Sequence, residues 1–406
     1  MTNWDDRSLA FLPWAHSYGQ TCELNCGIAL GASTGICAGA PGDSAELLGN
    51  IAAVKPTVLF SVPTLFKKLY DGVHAKIAAE QSPLKKFLMT HALSVGAQVQ
   101  AHAAAGTHPG AWLSWQHKML DKAVLTKMRE PLGGNLRMAI VAGAPTPVTV
   151  VQFIESLGVS MTEGYGLTET SPALTTTYPD PRDKKTGTVG RVLPRTRIKL
   201  VSSETGEDVD AMSGAEGELW ASGPQVMQGY WNKPEATAEV IVVDDEGTRW
   251  FRTGDLATLV EGAHVAITGR AKDLYKLENG KYVAPAPIEE ALTLHRLVDN
   301  AVLYGNGKPH NVAVIVPAYA ALAAELGLSD WYDPAELCAN PKAADLMERL
   351  LPAAMEAHGI KKYEMPKKYL LVPEPFSAEN EMLTPKLSVR KPNVIKAYKK
   401  QLDALY

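Results

Sequence analysis

One short segment of the chain carries the residue types that would hold a nucleotide phosphate and a metal ion. Residues 163–172 read Glu-Gly-Tyr-Gly-Leu-Thr-Glu-Thr-Ser-Pro. The glycines admit backbone angles that bring N–H groups close to a ligand, and Thr168 and Thr170 add hydroxyl donors. Glu163 and Glu169 offer hard oxygen ligands of the kind that suits Mg²⁺. The segment therefore predicts a tight turn that binds phosphate.

Four further segments follow this turn in a fixed order. They are Gly-Tyr-Trp-Asn-Lys-Pro-Glu-Ala-Thr at 229–237, Trp-Phe-Arg-Thr-Gly-Asp at 250–255, Ile-Thr-Gly-Arg-Ala-Lys-Asp at 267–273 and Leu-Thr-Pro-Lys at 383–386. Together with the turn, this ordered set resembles the adenylate-forming (AMP-binding) superfamily over nearly all of the 406 residues. Gly-Gly-Asn-Leu-Arg at 133–137, Ala-Gly-Ala-Pro at 142–145 and the Leu-Thr-Pro ending resemble its long-chain fatty acyl-CoA synthetase branch.

The resemblance implies ATP and Mg²⁺ as cofactors, CoA as a co-substrate and a fatty acid as the acid that is activated. It implies that Thr168 hydrogen-bonds the α-phosphate, that Glu169 is the metal ligand and that Tyr165 stacks near the adenine. The other residues that it implies in nucleotide binding are Gly143, Ala144, Pro145, Glu163, Gly164 and Gly166. The alternative is that the two glycines of the turn only shape a surface loop.

Asp255 and Arg270 are the residues expected at the ribose. Asp255 lies at the end of a predicted strand, and one carboxylate can accept hydrogen bonds from both hydroxyls of a ribose diol. Arg270 supplies a permanent positive charge for ribose or phosphate oxygens. By resemblance, Lys272 is at the interdomain hinge. The alternative for Asp255 is a solvated residue of a turn.

His16 lies in a Pro-x-x-His-x-x-Gly segment at 13–19. The resemblance implies that it orders the substrate carboxylate and controls access to the acyl pocket, whereas a lone histidine is more often structural. Tyr230 and Trp231 are predicted to be packing residues of a β-rich region.

The family's catalytic lysine near the C-terminus has no direct counterpart. Long-chain members commonly read Leu-Thr-Pro-x-x-Lys, but Ser388 occupies that position here. Lys386, two residues earlier, has the parity to face the same side of an extended segment, so we nominate it as catalytic. Arg390 and Lys391 are weaker candidates.

A second departure concerns a Ser/Thr- and Gly-rich loop with a lysine that, in the family, grips the β- and γ-phosphates upstream of the histidine. This sequence contains no such loop. Three explanations stay open: the sequence is a truncated version of a longer enzyme, a partner chain supplies the region, or ATP binding is impaired.

The composition sets the remaining bounds. A 46% hydrophobic content indicates a globular chain with a large core, and a net charge of −4 gives no reason to expect nucleic-acid binding. Four cysteines without a disulfide-like framework fit a cytoplasmic protein, and without a bilayer-spanning run any membrane contact is expected to be peripheral. Residues 81–127, with Trp112 and Trp115, are predicted to form a helical surface hairpin. The alternative is a helix that touches a membrane interface.

Apolar runs alternate with helical patterns in the first part of the chain. Strands are predicted at 9–12, 58–62 and 138–142, and helices at 63–76 and 149–157. Short β-like runs follow at 198–201 and 218–221, and then strands at 301–304 and 312–316 with helices at 288–294 and 343–357. We therefore predict an α/β fold of mostly parallel sheets with helices, a β-rich subdomain and a small α+β C-terminal domain. The predicted domains are 1–186, 187–271 and a mobile 272–406.

These expectations lead to one principal function and two alternatives. The principal function is ATP-dependent activation of a fatty acid to acyl-AMP, followed by thioester formation with CoA after rotation of the small domain. The first alternative is a ligase that loads the acyl group onto a carrier protein. The second is an AMP-binding or interaction protein without turnover.

Overall fold

The structure, a computed structural model, describes residues 5–38, 44–202, 205–328, 332–384 and 388–406. The chain divides into two compact units. Unit 1 comprises Met1–Thr253 and Ala257–Ile267, and unit 2 comprises Gly254–Leu256 and Thr268–Tyr406.

Parallel strands form the centre of the first half of unit 1. In the described part of the chain these strands and their two antiparallel neighbours are β1 (Arg7–Ala10), β2 (Ser33–Ile36), β3 (Val58–Ser61), β4 (Met138–Val141), β5 (Ser160–Tyr165), β6 (Thr175–Thr176) and β7 (Arg191–Val192). β1 pairs with β2 in parallel, whereas β3 to β7 form one sheet in sequence order, parallel from β3 to β5 and antiparallel beyond. All four residues of β3 are buried, as expected for a parallel strand that is covered on both faces.

Helices cover these strands. They are α1 (Cys26–Leu30), α2 (Ser44–Val54), α3 (Pro63–Ala79), α4 (Pro83–Ala104), α5 (Ala111–Leu120), α6 (Thr126–Arg129) and α7 (Val148–Ser156). Proline begins both α3 and α4, where its missing N–H costs no helical hydrogen bond. The apolar side of α7 packs into the core with Leu59 and Phe66. The helices predicted at 63–76 and 149–157 are thus present.

The strand predicted at 9–12 is shifted. Its parallel pairing with β2 runs from Arg7 to Ala10. The chain leaves the strand at this point because a turn follows, in which the His16 N–H donates to the Pro13 carbonyl oxygen at 2.9 Å.

An antiparallel sheet forms the second half of unit 1, apart from residues 254–256 and 268–270 of its strands, which belong to unit 2. Its strands in the described residues are β8 (Arg197–Val201), β9 (Asp208–Val209), β10 (Gly217–Ser222), β11 (Ile241–Val243), β12 (Arg249–Val260) and β13 (His264–Arg270), with helix α8 (Pro234–Val240) before β11. The spatial order is β11-β12-β10-β8-β9, and β13 also pairs with β12. Leu200 and Leu219 lie in the core on one face. The opposite face carries Trp220, with the Lys199 ammonium 5.1 Å and the Arg252 guanidinium 5.4 Å from its ring.

Unit 2 is built on a three-stranded sheet. Its elements in the described residues are β14 (Tyr275–Lys276), β15 (Tyr282–Val283), α9 (Pro285–Thr293), β16 (Val298–Tyr304), β17 (Val312–Pro317), α10 (Tyr319–Glu325), α11 (Pro334–Ala339), α12 (Pro341–Ala357), β18 (Tyr369–Leu371) and α13 (Lys391–Asp403). β17 is central, antiparallel to β16 and parallel to β18. Its residues are all buried because α9 and α12 contribute to the core on one face and α13 to the core on the other.

The predicted fold class is confirmed: an α/β part with a parallel sheet, a β-rich part and an α+β C-terminal part. No helix among the described residues is long and apolar enough to cross a membrane.

Glu23 is an ionisable group inside the core of unit 1. Its side chain is 1% exposed, and its Oε2 atom accepts a hydrogen bond from the Trp14 indole N–H at 3.1 Å. Its Oε1 atom has no hydrogen-bond partner among the described residues. Burial raises the pKa of Glu23 to about 7, and the Trp14 hydrogen bond opposes this rise only in part.

The substitution Glu23→Gln should therefore change how stability depends on pH. The raised pKa means that Glu23 contributes stability below pH 4.5, the ordinary range of a glutamate, and that this contribution is lost as the pH rises through 7. We expect the free energy of unfolding of the variant, relative to wild type, to rise by up to about 3 kcal/mol between pH 4.5 and pH 8. Urea denaturation at the two pH values measures this difference. Glu246→Gln, which changes an exposed loop carboxylate, is the matched control and should follow wild type. Parallel behaviour of Glu23→Gln and wild type would contradict the assignment.

Candidate functional site

Two groups of nominated residues meet at the carboxyl edge of the parallel sheet. Val141, the last residue of β4, is in register with Glu163 of β5. The loop after β4 contains Gly143, Ala144 and Pro145, all of them exposed, and Gly143 has a left-handed backbone with φ +89°. Because carboxyl ends of neighbouring parallel strands share one edge, this loop lies beside the end of β5.

The turn after β5 separates two threonines that the sequence analysis treated alike. Thr170 is fully buried, and its hydroxyl lies 2.9 Å from the Leu167 N–H and 3.0 Å from the Pro172 carbonyl oxygen. Thr168, at the start of the same short helical turn, is exposed, and among the described residues its hydroxyl makes no hydrogen bond. The expectation that both threonines serve as ligand donors is therefore wrong for Thr170, whose hydroxyl holds the turn closed. Thr168 alone is presented outward.

The two glycines of the turn also differ. A Cβ atom on Gly166 would lie 2.7 Å from the Ala173 Cα and closer still to the Pro172 carbonyl oxygen. A Cβ atom on Gly164 would meet only the Thr175 carbonyl oxygen at 3.6 Å and the Ala142 Cβ at 4.0 Å, which are ordinary contacts. Neither glycine has a positive φ angle. Gly166 is thus required for the close approach of two backbone segments, rather than for an unusual backbone angle.

Glu169 is fixed by a residue that the sequence analysis assigned to packing. Its Oε1 atom accepts a hydrogen bond from the Tyr230 hydroxyl at 2.8 Å, and its carbonyl oxygen accepts one from the Met227 N–H at 2.8 Å. Burial first, and then the Glu169 carboxylate, raise the pKa of Tyr230 to about 12, so that the phenol stays protonated as a donor. Oε2 of Glu169 makes no hydrogen bond to a described residue. A carboxylate with one oxygen held and the other available suits Mg²⁺.

Tyr230 is in turn positioned by its own motif. Its N–H donates to the Thr237 hydroxyl at 2.9 Å. The same threonine closes over Gly229, where a Cβ atom would lie 2.7 Å from the threonine methyl group. The spacing of Gly229, Tyr230 and Thr237 is visible in the sequence, but the contact with Glu169, 61 positions away, is not.

The loop that carries His16 is tied to the same edge of the sheet. The His16 Nδ1 atom accepts a hydrogen bond from the Tyr18 N–H at 3.1 Å. The buried Tyr18 hydroxyl donates to the Ile140 carbonyl oxygen at 2.8 Å, near the end of β4. A Cβ atom on Gly19 would lie 2.9 Å from the Pro13 carbonyl oxygen, which explains the glycine of the Pro-x-x-His-x-x-Gly segment. Tyr18 is a second positioning residue that the sequence analysis missed.

A cavity of about 330 Å³ opens on this sheet. It is lined by Leu30, Met138, Ile140, Thr162, Thr176, Thr177, Tyr178 and Pro179. The Thr162 hydroxyl is buried and has no hydrogen-bond partner among the described residues. Apolar walls with a few hydroxyls are typical of a site for a largely apolar small molecule.

Asp255 and Arg270 belong to unit 2 and contact each other. The Arg270 Nε–H donates to an Asp255 oxygen at 2.9 Å. The Asp255 side chain is 7% exposed and that of Arg270 is 61% exposed. Lys272 follows in an exposed position of the turn Ala271–Asp273.

The nominated Lys386 lies outside the described residues. On either side of it, the Thr384 N–H donates to the Ser388 carbonyl oxygen at 2.8 Å. Of the weaker candidates, Lys391 is engaged within unit 2: its ammonium lies 2.7 Å from a Glu289 oxygen and 3.6 Å from one of Asp273.

The contrast between the two glycines can be tested by matched substitutions. Gly166→Ala places a methyl group against the backbone at Pro172, and we expect a loss of about 1–3 kcal/mol in the free energy of unfolding together with a loss of AMP affinity. Gly164→Ala adds the same methyl group where there is room and should change stability by less than about 1 kcal/mol. Urea denaturation and calorimetric titration with AMP measure both. Equal effects of the two substitutions would contradict the assignment.

Comparisons with known proteins identify the family. A model described as "AMP-binding enzyme" matches residues 1–231, and one described as "AMP-binding enzyme C-terminal domain" matches residues 272–406. Long chain acyl-CoA synthetase 8 of Arabidopsis thaliana is 32% identical over 99% of this chain and 56% of its own length. A long-chain-fatty-acid–CoA ligase of Mycobacterium bovis is 30% identical over 99% of this chain and 62% of its own length. This chain thus spans little more than half the length of these relatives.

Solved structures of other proteins share the fold of this chain. The A domain of carboxylic acid reductase from Segniliparus rugosus, in complex with AMP and a co-purified carboxylic acid, is similar with a TM-score of 0.72 and 25% identity. That likeness covers 99% of this chain and 54% of the other. A second A domain, from Mycobacterium chelonae, shares the fold with a TM-score of 0.74 at 24% identity. The family expected from the ordered motifs is therefore confirmed, and the chain belongs to the AMP-binding enzymes.

Proposed function

We propose that this protein activates a long-chain fatty acid with ATP to give acyl-AMP, and then transfers the acyl group to CoA. The observation that carries the proposal is the turn in which Thr168 is exposed while Glu169 is held by Tyr230 at 2.8 Å. The likeness to long-chain acyl-CoA synthetases supports the choice of acid and acceptor.

In the first step a carboxylate oxygen of the fatty acid attacks the α-phosphorus of ATP. The bond to the bridging oxygen breaks, pyrophosphate leaves with its electron pair, and acyl-AMP is formed. Catalysis of such a step consists mainly of positioning and charge neutralisation. Thr168 would donate to an α-phosphate oxygen, and His16 would order the attacking carboxylate.

Glu169 would hold Mg²⁺ through the oxygen that Tyr230 leaves available. When bound, Mg²⁺ offsets the negative charge of the phosphates and of the departing pyrophosphate. Tyr165 with residues 143–145 would contact the adenine, and Glu163, Gly164 and Gly166 would shape the turn. Other residues, in the same polypeptide or on a partner chain, would bind the β- and γ-phosphates.

In the second step the CoA thiol attacks the acyl carbonyl carbon, loses its proton, and AMP departs. Asp255 would accept hydrogen bonds from the ribose hydroxyls, and Arg270 would contact ribose or phosphate oxygens. Lys386 is proposed to neutralise charge on the reacting carboxylate and α-phosphate. We also propose three domains, 1–186, 187–271 and 272–406, with Lys272 as the hinge.

Pyrophosphate exchange into ATP tests the first step. We expect Glu169→Gln to lower the exchange rate by about two orders of magnitude or more, because it removes a charged ligand of the metal ion that would offset the charge of the phosphates. Tyr230→Phe should raise the Mg²⁺ concentration for half-maximal rate by about tenfold or more, since it removes the group that orients a metal ligand. Trp231→Phe, next in sequence and 89% exposed, is the matched control and should behave as wild type.

The same assay separates the alternatives. AMP binding without pyrophosphate exchange, when the region that binds the β- and γ-phosphates is supplied in the same polypeptide or on a partner chain, would overturn the proposal in favour of a binding protein without turnover. Exchange that is followed by acylation of a carrier protein, with no CoA thioester, would retain adenylation and overturn the choice of acceptor.

A fatty-acid length series tests the acid. If the cavity beside Ile140 receives the acyl chain, each buried methylene contributes about 0.8 kcal/mol, so KM should fall about fourfold per methylene until the cavity is full. Ile140→Phe fills part of the cavity and should move the preferred acid to a shorter chain, whereas Ile198→Phe in β8 should leave the preference unchanged. A preference that is unaffected by Ile140→Phe would contradict this location.

A further inference from the structure

Helix α5 exposes three large apolar side chains to solvent. Trp112 is 67% exposed, Trp115 54% and Met119 56%, and the two indole rings stack with centroids 5.0 Å apart. These three residues are called the Trp face. Contiguous exposed apolar groups of this size mark interaction surfaces in soluble proteins.

The spacing of these residues places them on one side of the helix. Positions 112, 115 and 119 are separated by three and four residues and therefore lie above one another. A neighbouring side faces the protein, where the partly buried Leu120 packs against the core of unit 1. The helix thus contacts the core through one side and presents a separate apolar face to solvent.

Lysines flank the Trp face. Lys118 and Lys122 are both exposed, and neither forms an ion pair with a carboxylate among the described residues. Lys118 lies three residues after Trp115, on the same side of α5, and Lys122 lies in the helical turn that follows the end of α5.

The surrounding hairpin concentrates positive charge. Residues 81–127 contain five lysines and one aspartate, with no arginine or glutamate, a net charge of +4 in a chain whose total is −4. A surface of this sign is complementary to anionic lipid head groups, and it repels a second copy of itself.

We propose that the Trp face is the surface through which this protein docks onto an anionic lipid bilayer. Helix α5 would lie in the plane of the interface with its tryptophans at the level of the head groups and Lys118 and Lys122 among the lipid phosphates. Such docking is peripheral, and it does not depend on the proposed enzymatic activity.

Vesicle sedimentation of the full 406-residue chain tests the proposal. One set of vesicles is phosphatidylcholine alone. The other contains phosphatidylcholine and the anionic lipid phosphatidylglycerol at about 3:1, a composition that attracts basic surfaces. We expect binding to the mixed vesicles that weakens with salt. Trp112→Ala/Trp115→Ala should weaken it about tenfold or more. Lys118→Gln/Lys122→Gln should weaken it by about fivefold for each lysine.

Two matched controls distinguish binding through the Trp face and its lysines from non-specific adsorption to vesicles. Trp231→Ala removes a more exposed tryptophan elsewhere in unit 1, and Lys361→Gln/Lys362→Gln removes two exposed lysines of unit 2; both should bind as wild type. Circular dichroism checks that each variant is folded.

Three results would overturn the proposal. They are the absence of binding to either kind of vesicle, undiminished binding by the tryptophan variant, and equal binding to neutral and anionic vesicles. Dimerisation without lipid that the tryptophan variant abolishes, with no vesicle binding, would assign the face to self-association instead.

Discussion

The close contact of the backbone at Gly166 with the backbone at residues 172 and 173 determines the rest of the candidate site. No side chain fits there, because a Cβ atom would meet the Pro172 carbonyl oxygen and the Ala173 Cα. This contact brings the chain back on itself, and the buried Thr170 hydroxyl closes the turn against Leu167 and Pro172. With Thr170 turned inward, Thr168 is left exposed. The turn thereby decides which hydroxyl is available to a ligand.

The parallel sheet brings separate parts of the sequence to this turn. Residues 143–145 follow β4, and the turn follows β5, so adjacent carboxyl ends bring the two together. Tyr18 adds the His16 loop through its hydrogen bond to the Ile140 carbonyl oxygen. Tyr230 then crosses from the β-rich part of unit 1 to fix Glu169. The links made by Tyr18 and Tyr230 are side-chain hydrogen bonds to residues far away in sequence.

Much of this arrangement could be predicted from local patterns. The strands at 58–62 and 138–142 were predicted within one residue because continuous apolar runs mark buried parallel strands. The family followed from the order of the motifs. The strand near Leu9 was displaced because a sequence pattern does not reveal where a pairing partner ends. The opposite roles of Thr168 and Thr170, and the contacts of Tyr18 and Tyr230, depend on the folded chain and have no local signature.

The central claim is that the Thr170 hydroxyl forms hydrogen bonds within the turn, whereas the Thr168 hydroxyl is available to a nucleotide phosphate. Calorimetric titration of wild type, Thr168→Ala and Thr170→Val with a hydrolysis-resistant acyl-adenylate analogue tests it most directly. The account predicts that Thr168→Ala binds about tenfold or more weakly at unchanged thermal stability, since a hydrogen bond to a charged group is lost. It predicts that Thr170→Val lowers the melting temperature. Binding by Thr168→Ala that is as tight as that of wild type would contradict the claim.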